Sequence, residues 1–315
     1  MSERDIAADP PDVGPGGPLT LGERDFPELF DAADRASAGA QRAFVRSTAA
    51  QLLLLVLAAV AAAVSAQVGR TDVAAAIAAL AFAAAASLKT HLLTTKPDKT
   101  WYQGRAAAES AKTLAWRYAV GGEPFRADAP DPVRLDRQFL ERLGEILRPL
   151  DDIALIPSVE RSDQITPWMR RLRGRSLEER RRAYREGRIL DQQRWYATKA
   201  AYNDKRARQW GAVMLAFELA GVVLLLARAV GLLTLDLGGI AAAVAGTAAA
   251  WVQTKQHAAL AAAYSVTARE LGQVAVEVDD PTTEDEWAKF VGHAEDAVSR
   301  EHTLWLASRG KKADE

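Results

Sequence analysis

Two double runs of alanine, leucine and valine, Ala49–Leu93 and Gly211–Val252, interrupt a chain that is otherwise dense in charge. Between Arg46 and Arg70 about 23 successive residues carry no charge. A helix of that length crosses a hydrocarbon core of roughly 30 Å. Asp72 and Lys89 enclose a second uncharged run of about 16 residues, mostly alanine. The layout recurs later: Gly211–Ala227 is apolar except for Glu218, and Leu237–Thr254 is uncharged. Each pair is joined by a loop too short to hold a domain, Val68–Asp72 and Ala229–Asp236. The pattern predicts an all-α membrane protein with two transmembrane helical hairpins, four spans in all.

A soluble, alanine-rich bundle is the competing reading, because alanine is nearly neutral on insertion scales. The first run opposes it. Gln51–Val68 opens with four leucines and a valine and has no polar face of period 3.6 to meet water. The mean hydropathy of -0.12 is no objection, since it averages apolar runs with charged flanks. With 40 basic and 41 acidic residues the net charge is -1, so no global field points to nucleic acid. Cysteine is absent, which excludes disulfides and thiolate chemistry. Met1–Thr20 is acidic and rich in proline and glycine, without the basic and apolar regions of a signal peptide, and is expected to be a disordered tail.

Flanking charge predicts the orientation. Arg35, Arg42 and Arg46 precede the first span, and Lys89, Lys96, Lys99 and Arg105 follow the second. Lys199, Lys205, Arg206 and Arg208 precede the third, and Lys255 follows the fourth. The positive-inside rule then places both termini and the long middle segment in the cytoplasm. Outside the spans, helical periodicity marks a lead-in segment over Leu21–Ser47 and a stretch over Val133–Leu147. A further helix is expected from Lys99, behind Asp98 as N-cap, to about Val120, where Gly121-Gly122 stops it. Ser176 with Glu179, and Thr283 with Glu286, have capping-box spacing. No proline interrupts the chain between Ser176 and Asp236, which suggests one continuous helix entering the third span. A short strand signal covers Val274–Val278. Lys89-Thr90-His91 and Lys255-Gln256-His257 form a faint internal repeat after the second helix of each hairpin.

No catalytic constellation is visible, and the expectation is a protein without enzymatic activity, cofactor or metal. His91, His257, His293 and His302 lie in separate segments without carboxylates at ligand spacing. Phosphate-binding, dinucleotide-binding, zinc and serine-nucleophile motifs are missing. Glu218 is the sharpest single residue: an acid inside a span is costly and a candidate by default. It lines a path or pairs with a cation, or else sits near the boundary, about 12 Å along the helix from Trp210. Arg170, Arg171, Arg173, Arg175, Arg180, Arg181, Arg182, Arg185 and Arg188 form a basic stretch. That stretch attracts an anionic leaflet or nucleotide, or is a solvated face paired with Glu178, Glu179 and Glu186. Arg105, Glu109, Lys112 and Trp116 share one helix face and read as a packing and salt-bridge surface. Alanine, glycine and serine throughout the spans permit close helix approach and favour a homo-oligomer.

The motif Trp101-Tyr102…Arg105-Ala106…Glu109…Lys112…Trp116-Arg117-Tyr118…Pro124-Phe125 follows the first hairpin. It resembles one subtype of the SLATT two-helix membrane domains (SMODS- and SLOG-associating effectors). Thr166-Pro167…Arg180…Tyr184…Arg188-Ile189…Trp195-Tyr196…Lys199-Ala200…Asn203, ahead of the second hairpin, resembles another subtype. The two stretches have similar internal spacing but lie on opposite sides of their hairpins, which simple duplication does not align. The resemblance implies a multi-pass effector of the bacterial inner membrane, linked to nucleotide-signal conflict systems. There a separate sensor or nucleotide-synthetase partner triggers pore formation. The expected organisation is a tail over 1–20, a two-span unit over 21–125 and a cytosolic connector over 126–175. A second two-span unit over 176–309 and a tail over 310–315 complete it. A small transporter using Glu218 and a non-conducting scaffold are the alternatives to a pore.

Overall fold

The computed structural model describes residues 25–64, 67–68, 71–150, 153–158 and 162–310, with side chains described for all of these except 67–68 and 299–310. The structure is all-α. In chain order the helices are α1 (Glu28–Ala63), α2 (Val73–Thr95), α3 (Pro97–Val120), α4 (Pro132–Leu147), α5 (Pro167–Arg173) and α6 (Leu177–Tyr184). They continue as α7 (Asp191–Ala229), α8 (Leu237–Lys255), α9 (His257–Glu277) and α10 (Glu284–Gly310). A 3-10 turn, Arg148–Leu150, follows α4, and a π-helical turn, Arg185–Leu190, joins α6 to α7. The sole extended pairing among the described residues is a two-residue antiparallel ladder, Gln67–Val68 with Thr71–Asp72, at the first hairpin turn.

Side chains satisfy several helix starts. Asp72 accepts from the amides of Ala74 and Ala75, Asp131 from Arg134, and Asp236 from Gly239. Ser176 and Glu179 close a reciprocal capping box, and Thr283 and Glu286 bond each other's amides in the same way. Gly121 and Gly231, both at positive φ, end α3 and α7.

Two expectations are corrected and one is met. α3 begins at Pro97, so Asp98 lies inside its first turn; proline suits that position because its missing N–H has no helical partner there. The helix expected to enter the third span without interruption is continuous from Leu177 to Ala229, with a π-helical turn over Arg185–Leu190 inside it. Val274–Val278 is no strand: it continues α9 through Glu277. The lead-in helix starts at Glu28, while Leu21–Arg24, and the tails over 1–20 and 311–315, lie outside the described residues.

Contacts divide the chain into two compact units. One comprises the described residues up to Gly39, Lys99–Ala197 and those from Ser265 on; the other comprises Ala40–Asp98 and Thr198–Tyr264. The first has an aromatic core. Trp116 meets Trp168 and Tyr184 edge-on, each at 5.7 Å between centroids, and Tyr184 meets Trp287 at 5.8 Å. Tyr118, Phe125 and Phe139 form a second aromatic group. Beside them Phe30, Ala33, Ala107, Ala108, Ile146 and Leu150 pack together.

The second unit holds both hairpins. Its four helices are long and apolar enough to cross a membrane, and at most 22% of any apolar stretch is buried. In α2 the buried residues Ala74, Ala78, Ala81 and Ala85 fall on one stripe, and α8 buries Gly238, Ala241 and Ala248 in the same manner. Small side chains let backbones approach closely, which is what drives helix association in lipid.

Candidate functional site

A span must satisfy its backbone within the helix and keep polar groups off lipid. In the second hairpin, polar residues mark the two ends of α7's apolar stretch. At one end Trp210 faces Trp251, with centroids 6.4 Å apart, and the Lys255 ammonium lies 5.6 Å from the Trp251 ring. Nearby, buried Asn203 and His257 are joined by a 2.7 Å hydrogen bond between Oδ1 and Nδ1. Amphipathic aromatic rings and long cations of this kind settle at membrane–water interfaces. At the other end Arg228 and Asp236 form a 2.6 Å ion pair across the turn, each about half exposed.

Glu218 lies between these markers, eight residues beyond Trp210 and ten before Arg228. At 1.5 Å per residue those intervals are about 12 Å and about 15 Å. The carboxylate is therefore near the middle of the apolar stretch rather than at its edge. Glu218 is exposed on the surface of the chain, and among the described residues it has no hydrogen-bond or ion-pair partner. Around it Leu215, Leu219 and Val222 are exposed as well. One turn further on, a Cβ on Gly221 would stand 3.6 Å from Ala241 of α8.

The first unit brings the arginine stretch together in a different way. Arg188 and Glu295, both fully buried, form a bidentate pair: Nε donates to Oε1 at 2.9 Å and Nη2 to Oε2 at 2.7 Å. Tyr184 donates to the same Oε1 at 3.0 Å, and Arg188 Nη2 also donates to Thr113 at 3.0 Å. Burial and the adjacent Glu295 carboxylate push the Tyr184 hydroxyl well above its usual range. Arg180, also buried, donates to the carbonyls of Val120 and Arg175 and pairs with Glu284. Arg173 caps the end of α3 and the following loop through the carbonyls of Tyr118, Phe125 and Arg126 at 2.8, 2.7 and 2.6 Å. Its guanidinium stacks over Tyr118 at 4.9 Å.

All but one of the remaining arginines have partners near the surface. Arg170 pairs with Asp136, Arg175 with Glu179, Arg182 with Glu178, and Arg185 with Asp279. Arg181 donates to the Pro281 carbonyl and lies over Trp287. Arg171 is exposed and, among the described residues, has no partner. In the motif face, Trp101 stacks on Tyr102 at 4.7 Å, Arg105 lies 5.9 Å from the Trp195 ring, and Lys112 lies 5.6 Å from the Phe26 ring. Burial pushes the Lys112 amine down, against the pull of Glu109. Trp195 meets Tyr196 edge-on at 5.0 Å, and the Lys199 carbonyl accepts from Asn203.

Of the histidines, His91 and His293 are exposed, and the His302 side chain lies outside the described ones. No group of three or more His, Cys, Asp or Glu able to hold a metal occurs among the described residues. The residue that sequence reasoning missed is Glu295. Its signal was present: it falls four positions after Val291, on the apolar face that carries Trp287, Val291, Ala294 and Val298.

Residues 27–181 match the family described as SMODS and SLOG-associating 2TM effector domain 3, and residues 184–305 match SMODS and SLOG-associating 2TM effector domain 1. No curated protein and no solved structure matches the chain. The two matched segments follow one another with almost no gap, and each includes one of the hairpins described above. The chain is a membrane protein that belongs to the SMODS and SLOG-associating two-transmembrane effector family, carrying two of its domains in tandem.

Proposed function

We propose that this protein is an oligomeric effector that opens a pore in the bacterial cytoplasmic membrane, with its termini and middle segment on the cytoplasmic side. The observation that carries this reading is Glu218: a carboxylate within the apolar stretch of α7, on the outside of a single chain, with no partner among the described residues. In hydrocarbon such a group is expensive, so it belongs against a water-filled space or another copy. The bare apolar flanks of the spans and their small-residue stripes agree with assembly between copies. The family match supplies the effector role, and its conflict-system context points to a trigger from a separate sensor protein or a nucleotide signal.

The nine-arginine stretch has a structural part in this scheme. Arg173, Arg180 and Arg188 stitch α3, α6 and α10 together, and the first unit thereby offers a rigid body through which a trigger can act. Induced expression in a bacterial host, followed with a potential-sensitive dye, tests the proposal. Depolarisation and growth arrest are expected. Normal potential with the protein demonstrably in the membrane would overturn it.

A further inference from the structure

The depth of Glu218 has a consequence for what passes through the pore. Of the charged residues in the second hairpin, Arg228 and Asp236 neutralise each other at one end of α7's apolar stretch. At the opposite end Lys255 is held over Trp251, Arg208 pairs with Asp204, and Arg206 lies over Tyr202. Between those ends, about 12 Å from one and about 15 Å from the other at the helical rise, Glu218 is the lone ionisable side chain of α7. α8 adds none before Lys255. In the first hairpin, α2 has no charged residue before Lys89, and α1 has none after Arg46. Glu218 is thus the one acidic or basic side chain within the four apolar stretches of the chain.

Copies arranged around an aqueous path repeat that residue at a single level. A ring of carboxylates with low-dielectric walls above and below focuses a negative potential into the lumen. Cations are concentrated there and anions are excluded. We infer that the pore selects monovalent cations over anions and that Glu218 of each copy is the selecting group. The inference rests on the pore reading above, and its test separates the two.

Purified full-length protein is reconstituted in liposomes or planar bilayers, and the reversal potential is measured in a potassium chloride gradient. Wild type is expected to reverse near the potassium equilibrium potential. Glu218→Gln is expected to lower the potassium-to-chloride permeability ratio by roughly tenfold, the lower end of what a focused field contributes. Glu218→Lys should move reversal towards the chloride potential, and Glu218→Asp should keep the wild-type value. Conductance that persists in Glu218→Gln with an unchanged reversal potential overturns the selectivity inference and leaves the pore intact. Absence of any current from wild-type protein shown to be inserted overturns the pore reading, and the selectivity with it.

Discussion

In the first unit Arg188 and Glu295 lie fully buried against each other, while in the second Leu80 is 70% exposed and Val223 64% exposed. The two units thus place charge and hydrocarbon in opposite positions. A body in water closes apolar side chains inside, and an ion pair can be kept within it only if nearly every lone pair is met. A body in lipid has no reason to hide leucine, and its helices hold together through small residues in close contact. The same substitution should therefore have different consequences in the two units.

The largest difference is expected from charge. Glu295→Ala leaves the Arg188 guanidinium buried without its carboxylate and should destabilise the first unit by about 3–5 kcal/mol. Arg188→Met combined with Glu295→Leu should recover most of that loss. In the second unit Arg228→Ala breaks a pair that is half exposed, and should cost under about 1 kcal/mol. Thermal unfolding of the full chain in detergent measures all three. Comparable losses for Glu295→Ala and Arg228→Ala would erase the contrast.

Next in size is a reversal of sign at glycine. A Cβ on Gly104 of α3 would stand 3.0 Å from the Ala33 carbonyl oxygen and 3.2 Å from Ser37. Gly104→Ala should therefore lower stability by about 1–3 kcal/mol. Gly246 of α8 has nothing within 4 Å of the same position, and Gly246→Ala should raise the stability of the isolated chain by up to about 1 kcal/mol. A loss at Gly246 that tracks dissociation on a sizing column would instead place that glycine against a second copy.

Capping supplies a control that should not distinguish the two hairpins. Asp72→Ala and Asp236→Ala each remove a side-chain acceptor from the start of a span's helix, and each should cost about 1 kcal/mol. Circular dichroism melts of the two variants should agree; a large difference between them would mean that the hairpins are held in unlike ways. Smaller still is an alkaline effect confined to the first unit. Burial, together with the hydrogen bond to Asp136, pushes the Tyr118 hydroxyl up from 10.0 to about 12. A raised value means that the folded state holds the proton more tightly. The associated stability is complete below pH 10 and is lost as pH rises towards about 12. Tyr118→Phe should flatten the stability profile in that window and leave it unchanged near neutrality.

The spans and most helix ends were legible in the sequence because each depends on local chemistry. Uncharged length gave the four apolar stretches, and Ser176 and Thr283 marked helix starts by side chains that bond amides three residues on. A new helix after the first hairpin was visible, but the one-residue joint at Lys96 was not, since a residue at positive φ leaves no mark in composition. The π-helical turn before α7 also escaped, since it contains no proline and its residues carry no distinguishing composition. For the first unit, the basic letters over 170–188 were evident, while their division into buried and surface members depended on long-range partners such as Val120, Glu284 and Glu295. For Glu218, charge and sequence position were plain from the start. The structure adds the Trp210–Trp251 contact and the Arg228–Asp236 pair on either side of it along α7.

Lys96 and Gln256 occupy matching places in the two hairpins. Each adopts a left-handed conformation, with φ of 42° and 51°, and its amide bonds back to the carbonyl four residues earlier. Two residues before each, Thr94 and Thr254 return their hydroxyls to the carbonyl one turn below. In both cases a new helix starts at once, α3 at Pro97 and α9 at His257. A joint one residue long has no spare backbone in which a change of length could be absorbed. Each inserted or deleted residue there would turn the whole following helix by about 100° about its axis. Every buried position of α3, from Gly104 to Val120, would then be dealt to a different side. These two junctions should accordingly be the least forgiving of length change in the chain, and the Ala229–Asp236 turn at the far end of the second hairpin among the most forgiving.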